Sequence, residues 1–556
     1  MKKIVKLVSL ALVLTMVATC FYGCGAEKAQ AVMQPLNGDA YDFDDSNGIS
    51  VHDPSLFKAQ DGTYYIYGTH MASAKSSDLI NWQTVSSGVY DNNKTLVPSG
   101  PTVRETLSEP LSWCDGYLFQ SNKKAELQTN IWASDVFYNK AMGKYCYYAC
   151  SSVWGTAVSV IWFATSDSPE GTFEYQNCLV YSGFNKLKKF GKKKYSTHYS
   201  FTNLGDLIAN GTFTQKEVEN ATWFDKEGNY DCSIGKYPNC IDPTVFYDAN
   251  GKLWMVYGSY SGGVYIMPLV EKTGMPDYEY MRSSDDYDIY FGKQLTKTNG
   301  ETNGTGEGPY IVYDSKSGYY YLYLTYGGLD ALDGYNIREY RSEKPDGPYY
   351  DAQGNLGTDM VNSGLKINGN YKFSFNDTAR LSGGHSSCFI DDDGKIYQAY
   401  HQRYNDGTGS TFYDEIHQML TTENGWHTML PLCYNGETAQ NVTFADVAGD
   451  YELVLFGDAT TALKDDERDW KNVSQIIEPT VKAHIYEDGT VKVFPSGNDK
   501  YVNAKIILKD NSYLFVLNYE NNTYYGAFCL GNKNGNEVMT FSAIGENNKT
   551  IWGVAQ

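Results

Sequence analysis

Alternation of apolar and polar positions, rather than any helical period, organises this chain. Runs such as SLFKAQDGTYYIYG, from Ser55 to Gly68, put aromatic and apolar residues on both sides of a Gly-containing turn, the mark of antiparallel strands joined by a tight hairpin. The same text returns. A polar residue, a short apolar strand, a turn glycine and an aromatic strand follow one another from Asp53 (DPSLFKAQDGTYYIYG), Asp135 (DVFYNKAMGKYCYYA), Asp242 (DPTVFYDANGKLWMVYG), Glu307 (EGPYIVYDSKSGYYYLYLTYGG) and His385 (HSSCFIDDDGKIYQAYH). The turn glycine follows the polar residue by nine positions at Asp53, Asp242 and His385, by eight at Asp135 and by eleven at Glu307. Unit starts lie 82, 107, 65 and 78 residues apart, which leaves room for a second hairpin in each; ATSDSPEGTF and YRSEKPDGPY read as outer strands with their turns. Five four-stranded sheets repeated radially make an all-β, five-bladed β-propeller, an arrangement that protects strand edges.

In that geometry the innermost strand of each blade lines a central axis, so Asp53, Asp135, Asp242, Glu307 and His385 are expected to converge. Any one of them alone is equally well explained as a turn-opening residue. Five in register, each just ahead of an apolar strand, face a shared interior and must solvate something. Two longer insertions, containing GPTVRETLSEPLSWCDGYLF and KLKKFGKKKYS, read as rim loops. From residue 438 the text changes to GDYELVLFGD, HIYEDGTVKVF, KYVNAKIILKDNSYLFVLNYE and TYYGAFCLGNKNG, hairpins of a separate antiparallel β-barrel or sandwich module. The expected division is a propeller over 48–437 and a C-terminal β domain over 438–556.

Residues 1–23 pair Lys2, Lys3 and Lys6 with an apolar run from Leu7 to Ala18, the layout of an export signal. The stretch Phe21-Tyr22-Gly23-Cys24 looks like a bacterial lipoprotein processing box with Phe21 where Leu is usual. Either Cys24 becomes lipidated, which would be the only link to a membrane, or the leader is cut without lipidation. Residues 24–47 then form a linker. Tyrosine is abundant, with 49 among 556 residues, and proline scarce at 16, in keeping with many short strands. A formal charge of −21 leaves no basic surface for displacing phosphate counterions and argues against a nucleic-acid partner. Nine cysteines lie beyond Cys24 without a Cys-x-x-Cys pair, against a zinc cage; Cys232 and Cys240 either bridge or are buried thiols.

Carboxylates around a cavity rich in Tyr and Trp suit a sugar, whose C–H faces stack on rings while acids move protons. Glycoside hydrolysis needs one carboxyl protonated, to donate to the leaving oxygen, and one ionised. A third acid close by raises the donor's pKa by like-charge repulsion.

The order VHDPS, WASD, NCIDPTVFYD, GSYSGG, GEGPYI, GYNIREYRS, GGHSSCFIDDDGKIYQAYH and IHQMLTTENGWHTMLP resembles glycoside hydrolase family 43, and within it the enzymes that cleave α-1,5-linked L-arabinan. The likeness runs from about Ser50 to Glu437. It implies an exported, inverting arabinan hydrolase, with Asp53 as general base, Glu307 as general acid and Asp242 tuning and orienting that acid. An inverting pair stands about 6.5–9.5 Å apart to admit a water. The same likeness implies arabinose contacts at Asn239, Ser259, Tyr260 and Ser261, with Asn336 and Arg338 beside the site. Trp132 and Trp154 are candidate stacking platforms, or else core residues. His385 matches a histidine that holds a calcium ion, mostly through water, in the central channel. The implied partner is plant cell-wall arabinan on pectin, to whose acidic chains the lysine cluster is a candidate contact, with a monomer acting outside the cell. Ser134, in place of the family's usual Pro, and the insertion before Trp132 leave the endo or exo mode open. The alternatives are an exo-acting α-L-arabinofuranosidase or β-xylosidase of the same family, or a glycan-binding lipoprotein without catalysis.

Overall fold

The computed structural model describes residues 49–88, 102–186, 197–232, 236–296, 306–357, 363–495 and 500–556. The leader, the linker with Cys24 and the lysine cluster beyond Lys186 lie outside the described residues. No helix among those described is long and apolar enough to cross a membrane.

Five four-stranded antiparallel sheets follow one another along the chain, each in simple sequential order. Their innermost strands are Ser55–Lys58, Ile131–Asn139, Thr244–Tyr247, Glu307–Asp314 and Arg380–Ile390. In blade one the turn glycine Gly62 has φ +90°, a left-handed backbone that a side chain would strain, and it closes the hairpin that pairs Ser55 with Tyr67 and Lys58 with Tyr64. Tyrosine-rich second strands then fill the gaps between blades. Tyr67 of blade one meets the edge of Tyr147 of blade two at 5.7 Å, and Tyr147 stacks on Trp162 at 5.9 Å, all three buried.

Hydrogen bonds from one innermost strand to the next tie the blades together. The Ser55 hydroxyl donates to Asp135 Oδ1 at 2.5 Å and the Val245 N–H to Asp135 Oδ2 at 2.7 Å, so this carboxylate bridges blades one, two and three. Thr244 donates to the Pro309 carbonyl at 2.8 Å. Between the last blade and the first, the Leu56 N–H donates to Ser387 Oγ at 2.9 Å, and the Val51 N–H to Asp414 Oδ2 at 2.8 Å.

The five polar residues are not all equivalent. Asp53, Ala133, Asp242, Gly308 and His385 occupy the left-handed region, with φ of 58°, 32°, 54°, 56° and 47°. In blades two, four and five the pairing register breaks at this residue, between Trp132 and Asp135, Glu307 and Tyr310, and Gly384 and Ser387. Asp135 therefore matches Ser55 and Thr244 and points into the blade contacts, not the axis. Glu307 stands one position earlier than Asp53 and Asp242, matching His52 and Trp132.

The insertions expected as rim loops contain short helices. Ser108–Leu118 packs Trp113 against blade two, its indole donating to the Ser182 carbonyl at 3.2 Å. Asn203–Ala209 and Gln215–Asn220 precede blade three. Cys232 and Cys240 are unbridged thiols, and Cys240 is fully buried.

Eight strands from Gly449–Phe456 to Thr550–Ala555 form a closed barrel, with Tyr451 paired to Ala555 where it shuts. Closure removes every strand edge, and Phe515, Phe528 and Phe541 pack within. The barrel docks on blades four and five through Trp552, which meets Tyr371 at 5.2 Å. One fully buried ion pair crosses the junction, Lys366 Nζ to Glu478 Oε1 at 2.5 Å. Removing one partner of such a pair strands the other charge at a cost of about 3–5 kcal/mol. Lys366→Met is expected to lower the unfolding free energy from urea titration by that order, and Lys366→Met with Glu478→Leu by much less; tryptophan fluorescence follows both.

Candidate active site

In blades one, three and five the left-handed residue, Asp53, Asp242 or His385, brings a polar side chain into one shared site. Asp53 and Asp242 are buried there, each directly before a proline that fixes the next φ. Blade four puts glycine at this position: a Cβ on Gly308 would lie 3.0 Å from the His385 ring, so the missing side chain is what admits the imidazole. The Gly308 N–H donates to Asp242 Oδ2 at 3.2 Å, tying blade three's carboxylate to the residue after Glu307.

Asp53 is clamped from several sides. His52 Nδ1 lies 2.8 Å and His385 Nδ1 3.0 Å from Asp53 Oδ1, while the Thr69 hydroxyl donates to Oδ2. The Asp53 N–H donates to His401 Nδ1 at 3.3 Å. Burial alone would raise the Asp53 pKa, but His385 and His52 outweigh it and hold the carboxyl well below its usual range. His385, against burial, is pushed up to about 9 by Asp53 and Asp242. His401, completely buried and stacked on His52 at 4.1 Å, is held well below its usual value by burial and by His52.

Glu307 shows the opposite behaviour. Burial and then the charge of Asp242 push it up to about 8, only partly offset by a 2.5 Å hydrogen bond donated by the Tyr335 hydroxyl to Oε1. Asp242 also rises, to about 6, through burial, with His385 opposing the rise. One axis thus holds an ionised carboxylate, Asp53, and a carboxyl protonated at neutral pH, Glu307. That pair can take a proton from water and give one to a leaving oxygen.

The other residues singled out in the sequence divide. Tyr260 stands beside the site; its hydroxyl donates to the Gly327 carbonyl at 2.5 Å and its phenol feels the charges of Glu307 and Asp242. Ser259 is buried and Ser261 half-buried in the same hairpin. Asn239 is buried, its Oδ1 accepting from Ser159 at 2.7 Å. Trp154 is 73% exposed and meets the half-buried Trp132 edge-on at 5.8 Å, so Trp154 is not a core residue. Asn336 and Arg338 are misplaced as sugar contacts. Both are fully buried against the C-terminal domain, Asn336 donating to Thr460 Oγ1 at 3.2 Å and Arg338 to the Asp458 carbonyl at 2.7 Å. Sequence reasoning passed over Tyr335, His52 and His401, although all three sit inside the quoted GYNIREYRS, VHDPS and GGHSSCFIDDDGKIYQAYH.

A cation fits this set in part. Calcium takes six to eight oxygen ligands. Here Asp53 is already engaged by two imidazoles and a hydroxyl, and His385 adds a nitrogen, so water has to complete the shell. Ligand atoms of His52, Asp53 and His401 lie within 4.8 Å of one another, and among the described residues His401 Nε2 is buried without a hydrogen-bond partner. The second such grouping, Glu415, His417 and Cys433, surrounds a carboxylate that already accepts from Arg380 at 3.3 Å and Tyr400 at 3.0 Å.

The model of the glycosyl hydrolases family 43 matches residues 190–427, and that of a C-terminal lipocalin-like domain matches 431–553. Among characterised proteins, the extracellular endo-α-(1→5)-L-arabinanase of Thermotoga petrophila is 32% identical, covering 91% of this chain and 93% of its own length. Extracellular endo-α-(1→5)-L-arabinanase 2 of Bacillus subtilis is 32% identical over 91% of this chain and 92% of its own. The solved endo-1,5-α-L-arabinanase of Thermotoga petrophila superposes with a TM-score of 0.71 at 29% identity, covering 92% of this chain and 99% of that one. A family 43 glycoside hydrolase from Bacillus licheniformis gives 0.71 at 32%, covering 91% and 98%. With this agreement in sequence, fold and domain order across nine-tenths of its length, the chain belongs to glycosyl hydrolases family 43.

Proposed function

We propose that this protein is an exported endo-arabinanase that hydrolyses α-1,5-linked L-arabinan with inversion at the anomeric carbon. The observation that carries the reading is the opposed protonation of two carboxyls on one axis, Asp53 held low and Glu307 held high. Glu307 protonates the leaving glycosidic oxygen while Asp53 accepts a proton from the water that attacks C1 from the other face. Asp242, bonded to the Gly308 N–H, keeps Glu307 protonated by its charge and fixes the strand that presents it. Trp154 and Trp132 offer aromatic faces to neighbouring sugar units, and Tyr260 lines the wall beside Glu307. The substrate and the endo mode follow from likeness to relatives that bear those names.

A calcium ion held by water and by a neutral His385, whose Nδ1–H stays on Asp53, would supply the positive charge beside the reacting carboxylates in place of the imidazolium. Metal analysis of the purified protein is expected to find about one calcium per chain and none after chelation; a metal-free protein of full activity ends this part of the reading.

Incubation with linear α-1,5-arabinan is expected to release a ladder of oligosaccharides, and Glu307→Gln to lower kcat by at least about a thousandfold with binding retained, in line with loss of a general acid. Arabinose as the sole early product would favour exo action. The pH dependence has a definite sign. Glu307 acts while protonated, so kcat/KM falls as pH rises through about 8. Asp53 acts while ionised, so activity persists well into the acid range. Asp242→Asn removes the charge that lifts Glu307, and the basic limb should move to lower pH; a limb that stays in place contradicts the assignment.

A further inference from the structure

The loop from Gly327 to Gly334 leads directly into Tyr335, the residue whose hydroxyl holds Glu307, and two different domains grip it. Its own internal ties are few: Gly328 N–H to the Asp333 carbonyl at 3.0 Å and Asp333 N–H to the Asp330 carbonyl at 2.9 Å. Blade five takes one side, with Arg403 Nε donating to the Leu329 carbonyl at 2.6 Å and Ser382 Oγ to the Asp330 carbonyl at 2.8 Å. The other side is taken by the connection 457–479 between the first two barrel strands, more than 120 residues further along the chain.

This second grip is specific. Arg468 pairs with both acids of the loop, Nη1 to Asp333 Oδ1 and Nη2 to Asp330 Oδ2 at 3.2 Å. The Leu463 N–H donates to the Leu332 carbonyl at 3.0 Å. A Cβ on Gly334 would lie 2.2 Å from the Thr461 carbonyl oxygen, so the two backbones touch immediately before Tyr335. Leu463 and Trp470 pack on Ala331 and Leu332, closing an apolar seam under the ion pairs. Tyr335 itself is 1% exposed, lies parallel to the His401 ring at 5.8 Å and cannot turn without moving this loop.

We propose that the barrel connection is a positioning part of the active site, and that Arg468, through Asp330 and Asp333, sets the place of Tyr335 and so the aim of Glu307. Arg468 touches no reacting atom; it is a positioning residue. Its guanidinium spans two carboxylates at once, which a lysine ammonium does only one at a time. Displacing a catalytic group by about 1 Å can cost on the order of a hundredfold in rate, so a partly exposed ion pair that adds little to stability has leverage on kcat. The inference rests on the reading of Glu307 as the acid.

The test is a double-mutant cycle on the full chain, with kcat, KM and thermal midpoint measured for Arg468→Ala, Arg468→Lys, Tyr335→Phe and the pair Arg468→Ala with Tyr335→Phe. Arg468→Ala is expected to lower kcat about tenfold, a fraction of what a 1 Å misplacement costs, with KM within about twofold and the midpoint nearly unchanged. Arg468→Lys should recover part of the loss. In the Tyr335→Phe background the same substitution should cost little more, because the group it positions is already gone. Additive losses in the cycle, or a fall in the midpoint with kcat intact, overturn the proposal. Full activity in Glu307→Gln would instead refute the acid assignment, whatever the cycle shows.

Discussion

The hydrogen-bonded pair of Asp53 and His385 is the interaction on which this site depends. Asp53, Asp242 and Glu307 crowd one buried space, and three like charges there would repel one another strongly. The imidazole 3.0 Å from Asp53 supplies the opposite charge, so Asp53 stays ionised, while at Glu307 burial and the charge of Asp242 outweigh that of His385 and keep the proton on. Two carboxyls of ordinary chemistry thereby acquire opposite states. The partners come from blades one and five, so their distance is set by how the ring closes and not by any local turn.

Much of this was legible in the sequence because the signals are local. The nine-residue offset from Asp53, Asp242 and His385 to their turn glycines repeats one hairpin, and the apolar alternation around it fixes five sheets. What failed to show was anything that depends on register or on distant chain. Asp135 looked equivalent to Asp53, yet the break between Trp132 and Asp135 gives the axial position to Ala133 and turns the acid into a brace between blades. Asn336 and Arg338 have polar side chains on the third strand of the blade that carries Glu307, and nothing nearby announces that Thr460 and Asp458 cover them. Tyr335 was hidden differently: in a chain with 49 tyrosines, one hydroxyl aimed at Glu307 has no compositional signature.

The C-terminal barrel is built on the same economy of edges as the propeller, yet its docking is unlike a linker-joined module. Lys366 and Glu478 meet at full burial, Thr428 and Ser542 share a 2.6 Å hydrogen bond, and Trp552 packs against Tyr371 of the propeller. A buried ion pair is a poor source of stability but a strict reporter of alignment, because its geometry tolerates little sliding. Propeller and barrel therefore sit in one fixed register, and contacts made by the barrel are available to the site as permanent structure.

Ring closure has a consequence for how activity arises as the chain folds. Blades one to four already contain Asp53, Asp242 and Glu307, but His385, His401 and the Ser387 hydroxyl that receives the Leu56 N–H all belong to blade five. A chain lacking its last blade thus has all three carboxyls but only His52, and neither His385 nor His401, beside Asp53. The full set of groups around Asp53 is assembled only where the two ends of the propeller meet.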